Sequence, residues 1–407
     1  MFVIIGSGIA ALSAAKAIRD RRKDAIITMI GEEGSLPYSR PMLTKIPLRG
    51  SAPGIPPLHD IEWYGENKID LRLGVKAVAL DTVAKTVTLD TGEKLRYDKC
   101  VYAAGGAAFV PPGFSAKNAK NIISVRRDSD INSIKRLVPC INRAVVIGGG
   151  IIGIELAWEL KKAGAEVTIV ETAAHILPRI LDAQTAGLFE DALKAAGIRI
   201  VTGAALGALR EDSPAALELA GSLVAVCAGI RPNVALAKAA GIKTGGGVLV
   251  DKFMRTSEKD VYACGDCAEF EGLCTGTWEH AKAQGETAGA NAASANGGAD
   301  SLEFQGGAAA VIVNAADTPL YCIGDMGKKP GVKYEERVNN IAHQFAPQFA
   351  HLLVNNRTSS KLGFEKYYYA EGSLTGAALI GNLANMEKIE IEINRHNLSP
   401  GVNTKSG

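Results

Sequence analysis

Two glycine-rich turns, Gly6-Ser7-Gly8-Ile9-Ala10-Ala11 and Gly148-Gly149-Gly150-Ile151-Ile152-Gly153, each lie between a short apolar run and a helix-forming stretch. The first follows Phe2-Val3-Ile4-Ile5 and leads into the Ala-rich Leu12 to Arg19; the second follows Arg143-Ala144-Val145-Val146-Ile147. A strand that turns through glycines into a helix predicts a βαβ unit, with backbone N–H groups at the helix start that can meet a pyrophosphate. A lone motif of this kind is weak, because tight packing alone can require such glycines. Here each turn is followed by a second strand ending in acid, Ala25 to Glu33 and Glu166 to Glu171. Glu32, Glu33 and Glu171 fall at roughly the spacing where a carboxylate holds a ribose hydroxyl.

The rest of the composition narrows the setting. A chain of 407 residues predicts two or three domains. The net charge of +2 gives no reason to expect a nucleic-acid surface, and the basic runs Arg19 to Lys23 and Arg126-Arg127 read as solvated helix ends or loops. The apolar stretch from Val145 to Leu160 is broken by Glu155 and glycines, so no membrane insertion is expected. With the first strand beginning at residue 2 and seven scattered cysteines, the expectation is a cytoplasmic protein without a signal peptide or a disulfide framework.

Along the chain, the Pro-rich segment 36–57 reads as an irregular functional loop. Ala84 to Asp90 with the turn Thr91-Gly92 reads as a hairpin. Tyr97 to Gly106 reads as a buried strand ending Ala103-Ala104-Gly105-Gly106, and Leu223 to Gly229 repeats that plan. Asp260-Val261-Tyr262-Ala263-Cys264-Gly265-Asp266 is a short apolar strand closed by an acid, followed by Trp278 and a helical run to Ala293.

These pieces together resemble the pyridine nucleotide disulfide oxidoreductase superfamily over about residues 1–325. The resemblance implies an α/β fold with two Rossmann-like dinucleotide-binding domains and a C-terminal α+β interface domain. It assigns FAD to a discontinuous domain (1–113 and 247–300), NAD(H) to an inserted domain (114–246), and the interface to 301–407 with an insert at 335–361. For FAD it implies Gly6, Gly8, Ala10, Ala11, Glu32, Glu33, Ala104, Gly105 and Asp266. For the nicotinamide it implies Gly148, Gly150, Ile151, Ile152, Gly153, Glu155, Glu171 and Gly229. Within the superfamily, Leu36-Pro37-Tyr38-Ser39-Arg40-Pro41-Met42-Leu43-Thr44-Lys45 and Trp278-Glu279-His280-Ala281 are similar to the flavin-facing segments of the rubredoxin and ferredoxin reductase branch. That adds Arg40, Pro41, Trp278 and Ala281 to the flavin set and makes Lys45 and Glu155 an ion pair beside the reacting ring.

The disulfide-reducing branches need thiols beside the flavin, yet no cysteine precedes Cys100. Cys264 and Cys267 have C-x-x-C spacing, which is read as packing against the cofactor in preference to a redox dithiol or half a metal site, and no metal is expected. Hydride transfer needs nicotinamide C4 roughly 3 to 3.5 Å from flavin N5, so the protein has to position the two rings. Glu171 favours NAD(H), because a carboxylate accepts from a 2′-hydroxyl and repels a 2′-phosphate; His175 and Arg179 lie nearby and weaken the preference.

The sequence contains no iron–sulfur ligand set, so the one-electron acceptor is expected to be an iron–sulfur carrier or a partner subunit. The insert, which reads as an extra helix or docking arm, resembles the FAD subunits of multi-subunit oxidoreductases such as phenylglyoxylate dehydrogenase and tungsten aldehyde oxidoreductases. That resemblance implies the flavoprotein subunit of a hetero-oligomer; a free-standing reductase is the alternative function and a homodimer the alternative assembly. Two further readings are a reductase of a small acceptor such as oxygen or a quinone, and a non-catalytic flavin-bearing or NADH-sensing module.

Overall fold

The structure, a computed structural model, describes residues 1–50, 54–112, 114, 121–204, 222–294, 301–340 and 363–397. The chain divides into two compact units: Met1–Met42, Pro53–Ala107 and Ile230–Gly306 form the first, and Leu43–Ala52, Ala108–Gly229 and Gly307–Gly407 the second. Residues 230–246, placed by sequence with the nicotinamide domain, therefore belong to the first unit. The second unit holds both the other glycine turn and the C-terminal sheet.

In the first unit, Phe2–Ile5, Ile27–Gly31 and Lys99–Tyr102 are almost wholly apolar runs. Such runs can be buried on both faces, as strands of a parallel sheet are. They form a five-stranded parallel sheet in the order Val261–Ala263, Lys99–Tyr102, Phe2–Ile5, Ile27–Gly31, Ile69–Leu73. A separate antiparallel sheet of Ala77–Asp81, Thr86–Leu89 and Lys94–Arg96 contains the expected hairpin, turning at Gly92.

Two helices of this unit, Ile9–Arg21 and Trp278–Ala293, touch backbone to backbone. A Cβ added to Gly285 would lie 2.2 Å from the Ala10 carbonyl oxygen, and one added to Gly289 would lie 2.2 Å from that of Ala14. Small residues on both helices thus set the spacing. The helix after Trp278 consequently presses the loop at Gly265 onto the first glycine turn. The Gly265 N–H donates to Gln284 Oε1 at 2.9 Å, and a Cβ on Gly265 would fall 2.8 Å from that of Ala10. Gly285→Ala forces this packing apart and is expected to cost about 1–3 kcal/mol of stability. A wild-type melting curve for this variant would refute the role given to this contact.

The second unit repeats the parallel plan in the order Ile198–Val201, Glu166–Val170, Arg143–Ile147, Leu223–Val226, Ile122–Ser124. Its C-terminal part is an antiparallel sheet ordered Val311–Ala315, Thr318–Gly324, Ser373–Ile380, Phe364–Ala370, Glu335–Asn340. The helix Met386–Asn397 buries Ile389 and Ile393 in the same core as Tyr321, Ile323 and Leu379 of that sheet. The start of the expected insert, Glu335–Asn340, is an edge strand and not an extra helix, because its backbone pairs with Phe364–Ala370. The remainder of the insert, 341–361, lies outside the described residues. Among the described residues, no helix is long and apolar enough to cross a membrane.

Candidate functional site

Each glycine turn is shaped by one backbone approach that a side chain would block. Gly6 has φ +131°, and a Cβ there would lie 2.1 Å from the Ala103 carbonyl oxygen; Gly148 has φ +110°, with Cys227 O 2.4 Å away. Both conformations are strained for any residue with a Cβ. The next glycines play the opposite part. No atom lies within 4 Å of a Cβ built on Gly8 or Gly150, so the backbone is open to an incoming group.

Both turns also lead into helices whose first N–H groups have no side-chain cap and no acid in the first turn. By contrast, the helices starting after Asp60 and Asp182 are capped by those carboxylates. An open backbone, uncapped donors and the positive end of a helix dipole fit a pyrophosphate at both turns. Gly153, whose Cβ would lie 2.0 Å from Gly148 O, lets the second helix settle on its turn; Ala11 stands at the matching place in the first, fully buried. Ala10 and Ala281 are buried in the helix packing described above, Ile151 is partly exposed and Ile152 is exposed.

At the end of the second strand of the first unit, the structure separates the two candidate acids. Glu32 points outward, 3.4 Å from Lys76 Nζ. Glu33 is more enclosed: it accepts from the Tyr38 hydroxyl at 2.7 Å and pairs with the Arg40 guanidinium, which also donates to Tyr38 at 3.1 Å. Burial works against the Arg40 charge, but Glu33, Tyr38 and then Asp266 outweigh it and raise the guanidinium's pKa. Arg40 is thus electrostatically tied to both Glu33 and Asp266. Pro41, next in the same 3-10 turn, is exposed.

Ala104 and Gly105, just past the strand Lys99–Tyr102, are clipped by Asn233. Its side-chain amide donates to Ala104 O at 2.8 Å and its backbone N–H to Gly105 O at 2.9 Å, while its own carbonyl accepts from Tyr102 at 2.8 Å. Trp278 opens its helix half-buried, with the Thr277 hydroxyl and His280 Nδ1 2.7 Å apart behind it. Gly229, with φ +100°, closes the matching strand of the second unit, and its carbonyl accepts from Phe109 N–H at 2.8 Å.

Cys264 and Cys267 are fully buried. Cys267 Sγ lies 3.3 Å from Cys264 O and 3.5 Å from Tyr102 O. Burial pushes the Cys267 thiol up to about 12 and Cys264 well above its usual value. A thiol so placed stays protonated at neutral pH and is a poor nucleophile.

In the second unit, Glu171 is nearly buried and holds the glycine turn. Its Oε2 accepts from Gly149 N–H at 2.7 Å, and Oε1 accepts from Ala173 N–H at 2.9 Å and Thr172 Oγ1 at 3.1 Å. A carboxylate accepts about four hydrogen bonds, so roughly one position is left for an incoming hydroxyl. Gly149, overlooked in sequence, is the donor that orients this acid. His175 Nδ1 lies 2.8 Å from Ile176 O, and Arg179 is exposed.

The third grouping brings together residues far apart in sequence. Glu155, on the helix after the second turn, is 3% exposed; its Oε2 accepts from the Thr44 hydroxyl at 2.6 Å and Oε1 lies 3.6 Å from Lys45 Nζ. At that distance Lys45 is an ion-pair partner and not a hydrogen-bond donor, and Oε1 has no hydrogen-bond partner. Burial raises the Glu155 carboxyl above the usual range, opposed by the Thr44 hydroxyl, Lys45 and the Asn314 backbone. Lys45 and Thr44 belong to the second unit, whereas Arg40 belongs to the first.

The family profile described as pyridine nucleotide-disulphide oxidoreductase matches residues 1–295. The NADH-rubredoxin oxidoreductase of Clostridium acetobutylicum is 36% identical over 291 residues, 71% of this chain and 74% of its own. The chlorobenzene dioxygenase ferredoxin reductase component of a Cupriavidus species is 33% identical over 276 residues, 66% of this chain and 67% of its own. Among solved structures, the Clostridium acetobutylicum NADH:rubredoxin oxidoreductase superposes with a TM-score of 0.78 at 28% identity, covering 100% of this chain and 97% of that one. The covalent putidaredoxin reductase–putidaredoxin complex gives 0.80 at 25% identity, covering 97% and 93%. The chain belongs to the pyridine nucleotide-disulphide oxidoreductase family, as an NAD(H)-dependent flavoprotein oxidoreductase with FAD and NAD(H) as its cofactors.

Proposed function

We propose that this chain passes electrons between NAD(H) and a separate iron–sulfur protein of the rubredoxin or ferredoxin class, with no thiol step, in a cytoplasmic setting. FAD and NAD(H), when bound, supply hydride exchange and the conversion of a two-electron donor into single electrons. The first turn, with Glu33, Arg40, Ala104, Gly105 and Asp266, holds FAD; the second turn, with Glu171, holds the nicotinamide dinucleotide. Backbone N–H groups at both helix starts meet the pyrophosphates, and Glu171 admits a 2′-hydroxyl while repelling a 2′-phosphate.

The observation that carries this reading is the Lys45–Glu155 pair. A carboxylate 3% exposed is costly unless it is paired, and here one ammonium and one hydroxyl compensate it. We assign this pair to the charge that develops on the flavin as it is reduced: the ammonium favours the anionic reduced ring and the carboxylate balances it otherwise. Names of similar proteins, an NADH-rubredoxin oxidoreductase and a ferredoxin reductase component, support the choice of acceptor. A role as the flavin subunit of a larger complex rests on the absence of an iron–sulfur ligand set from the sequence and on the insert, of which only the edge strand Glu335–Asn340 lies among the described residues.

Anaerobic mixing of the purified holoprotein with NADH and oxidised rubredoxin or ferredoxin tests the proposal. Rapid reduction of the carrier is expected, at a rate well above oxygen consumption in air without it. NADH binding with an unchanged flavin spectrum would favour a sensing module instead, and equal turnover with oxygen alone would favour a small acceptor.

A further inference from the structure

Residues that follow Glu171 are fastened on two sides. On one side they carry the glycine turn: the Leu177 N–H donates to Gly149 O at 2.9 Å, and Ile176 Cγ2 lies 3.0 Å from where a Gly149 Cβ would stand. Leu177 itself is held at φ +51°, a left-handed conformation uncommon for a leucine. On the other side they are gripped by the C-terminal sheet and the turn beside it. Lys328 Nζ donates to the carbonyls of both Pro178 and Leu181 at 2.6 Å. Lys366, from the strand Phe364–Ala370, lies 2.9 Å from Asp182 and 2.8 Å from Glu336, and donates to Gln184 Oε1 at 3.2 Å.

Lys366 is 4% exposed, which is unusual for a lysine without a positional task. Two residues further on, Tyr368 presents its hydroxyl from the same face of the strand and donates to Asp182. Asp182 in turn caps the helix Ala183–Ala195 by accepting from Thr185 N–H at 2.8 Å. Burial pushes the Asp182 carboxyl up, but Thr185, Tyr368 and Lys366 overcome this and bring it down to about 2, so it is ionised at neutral pH.

We propose that Lys328 and Lys366 are positioning residues for the nicotinamide dinucleotide: through them the C-terminal sheet holds residues 171–182 against the second glycine turn and sets how tightly the nucleotide binds. The inference rests on assigning the nicotinamide to that turn. It gives the sheet a part in nucleotide affinity, transmitted through Leu177, Gly149 and Glu171 without contact between either lysine and the ligand.

Calorimetric titration of the holoenzyme with NADH, with Lys328→Met, Lys366→Met and Glu171→Gln in parallel, tests it. Each lysine variant is expected to raise the Kd and KM for NADH about tenfold, equivalent to about 1.4 kcal/mol. Because the ligand contacts and reacting groups are untouched, kcat at saturating NADH should change by less than about twofold, the pattern of lost uniform binding. Lys366→Arg, which keeps the cation, should recover most of the affinity. If Glu171→Gln weakens NADH while both lysine variants bind it like wild type, the inference is overturned and the site assignment stands. If none of the three changes NADH binding, the assignment fails and the inference with it. Should the lysine variants not fold, hydrogen exchange on the wild-type holoenzyme decides: NADH is expected to slow exchange in Phe364–Ala370, and an unchanged rate there overturns the proposal.

Discussion

Glu171→Ala is expected to shift the ratio of kcat/KM for NADH over NADPH by about 100-fold. Two losses act together. A charge-assisted hydrogen bond to the 2′-hydroxyl contributes about 1.5–3 kcal/mol, and its removal weakens NADH alone. Removing the carboxylate also lifts the repulsion against a 2′-phosphate, so NADPH is spared or improved. The variant further strips Gly149 N–H and Ala173 N–H of their acceptor, which loosens the turn for both nucleotides. The ratio is therefore the informative quantity, and steady-state kinetics with each nucleotide supplies it. An unchanged ratio would remove Glu171 from nucleotide selection.

Lys45→Met is expected to slow flavin reduction by NADH about tenfold, the value that roughly 1.4 kcal/mol of lost charge stabilisation implies. The full cost of breaking a buried pair is larger, but Lys45 is 31% exposed and solvent screens part of its field. Its partner is not screened. Glu155 would keep only the Thr44 hydroxyl and Asn314 backbone against its burial, so its carboxyl, already raised, moves higher. The sign of the pH effect follows. A folded-state value above the unfolded one means that ionising Glu155 costs stability; the cost is absent below the unfolded value and grows as pH rises through the folded one. Lys45→Met should thus lose stability towards neutral pH more than in mild acid, and Glu155→Gln in the same chain should relieve that loss. Stopped-flow rates equal to wild type across pH would exclude Lys45 from the reaction.

Those features that depend on local chain chemistry were legible in the sequence. The two turns at Gly6 and Gly148, the apolar strands before them and the acids after them are written in consecutive residues, and the parallel sheets follow from runs that are apolar on both faces. Resemblance supplied the Lys45–Glu155 pairing, but not Thr44, whose hydroxyl meets Glu155 across 111 positions of sequence. Asn233 was hidden for the same reason: its partners Ala104 and Gly105 are distant in the chain. Gly285 and Gly289 read as ordinary helix residues until the neighbouring helix is in place, because a close approach is a property of two segments. The strand Glu335–Asn340 misled because its residues alternate in no apolar pattern; at a sheet edge, backbone pairing on one side is enough, and polar residues suit the other. Lys366 shows the limit most plainly, since a lysine in a strand gives no local sign that it will be buried against three partners.

Anaerobic reductive titration with NADH tests most directly whether this flavoprotein works without thiols. Full bleaching of the flavin at one NADH per FAD is the expected result, because the flavin is then the sole two-electron acceptor and Cys264 and Cys267 remain spectators. An endpoint at two NADH per FAD, with a free thiol pair appearing as the second is consumed, would contradict it.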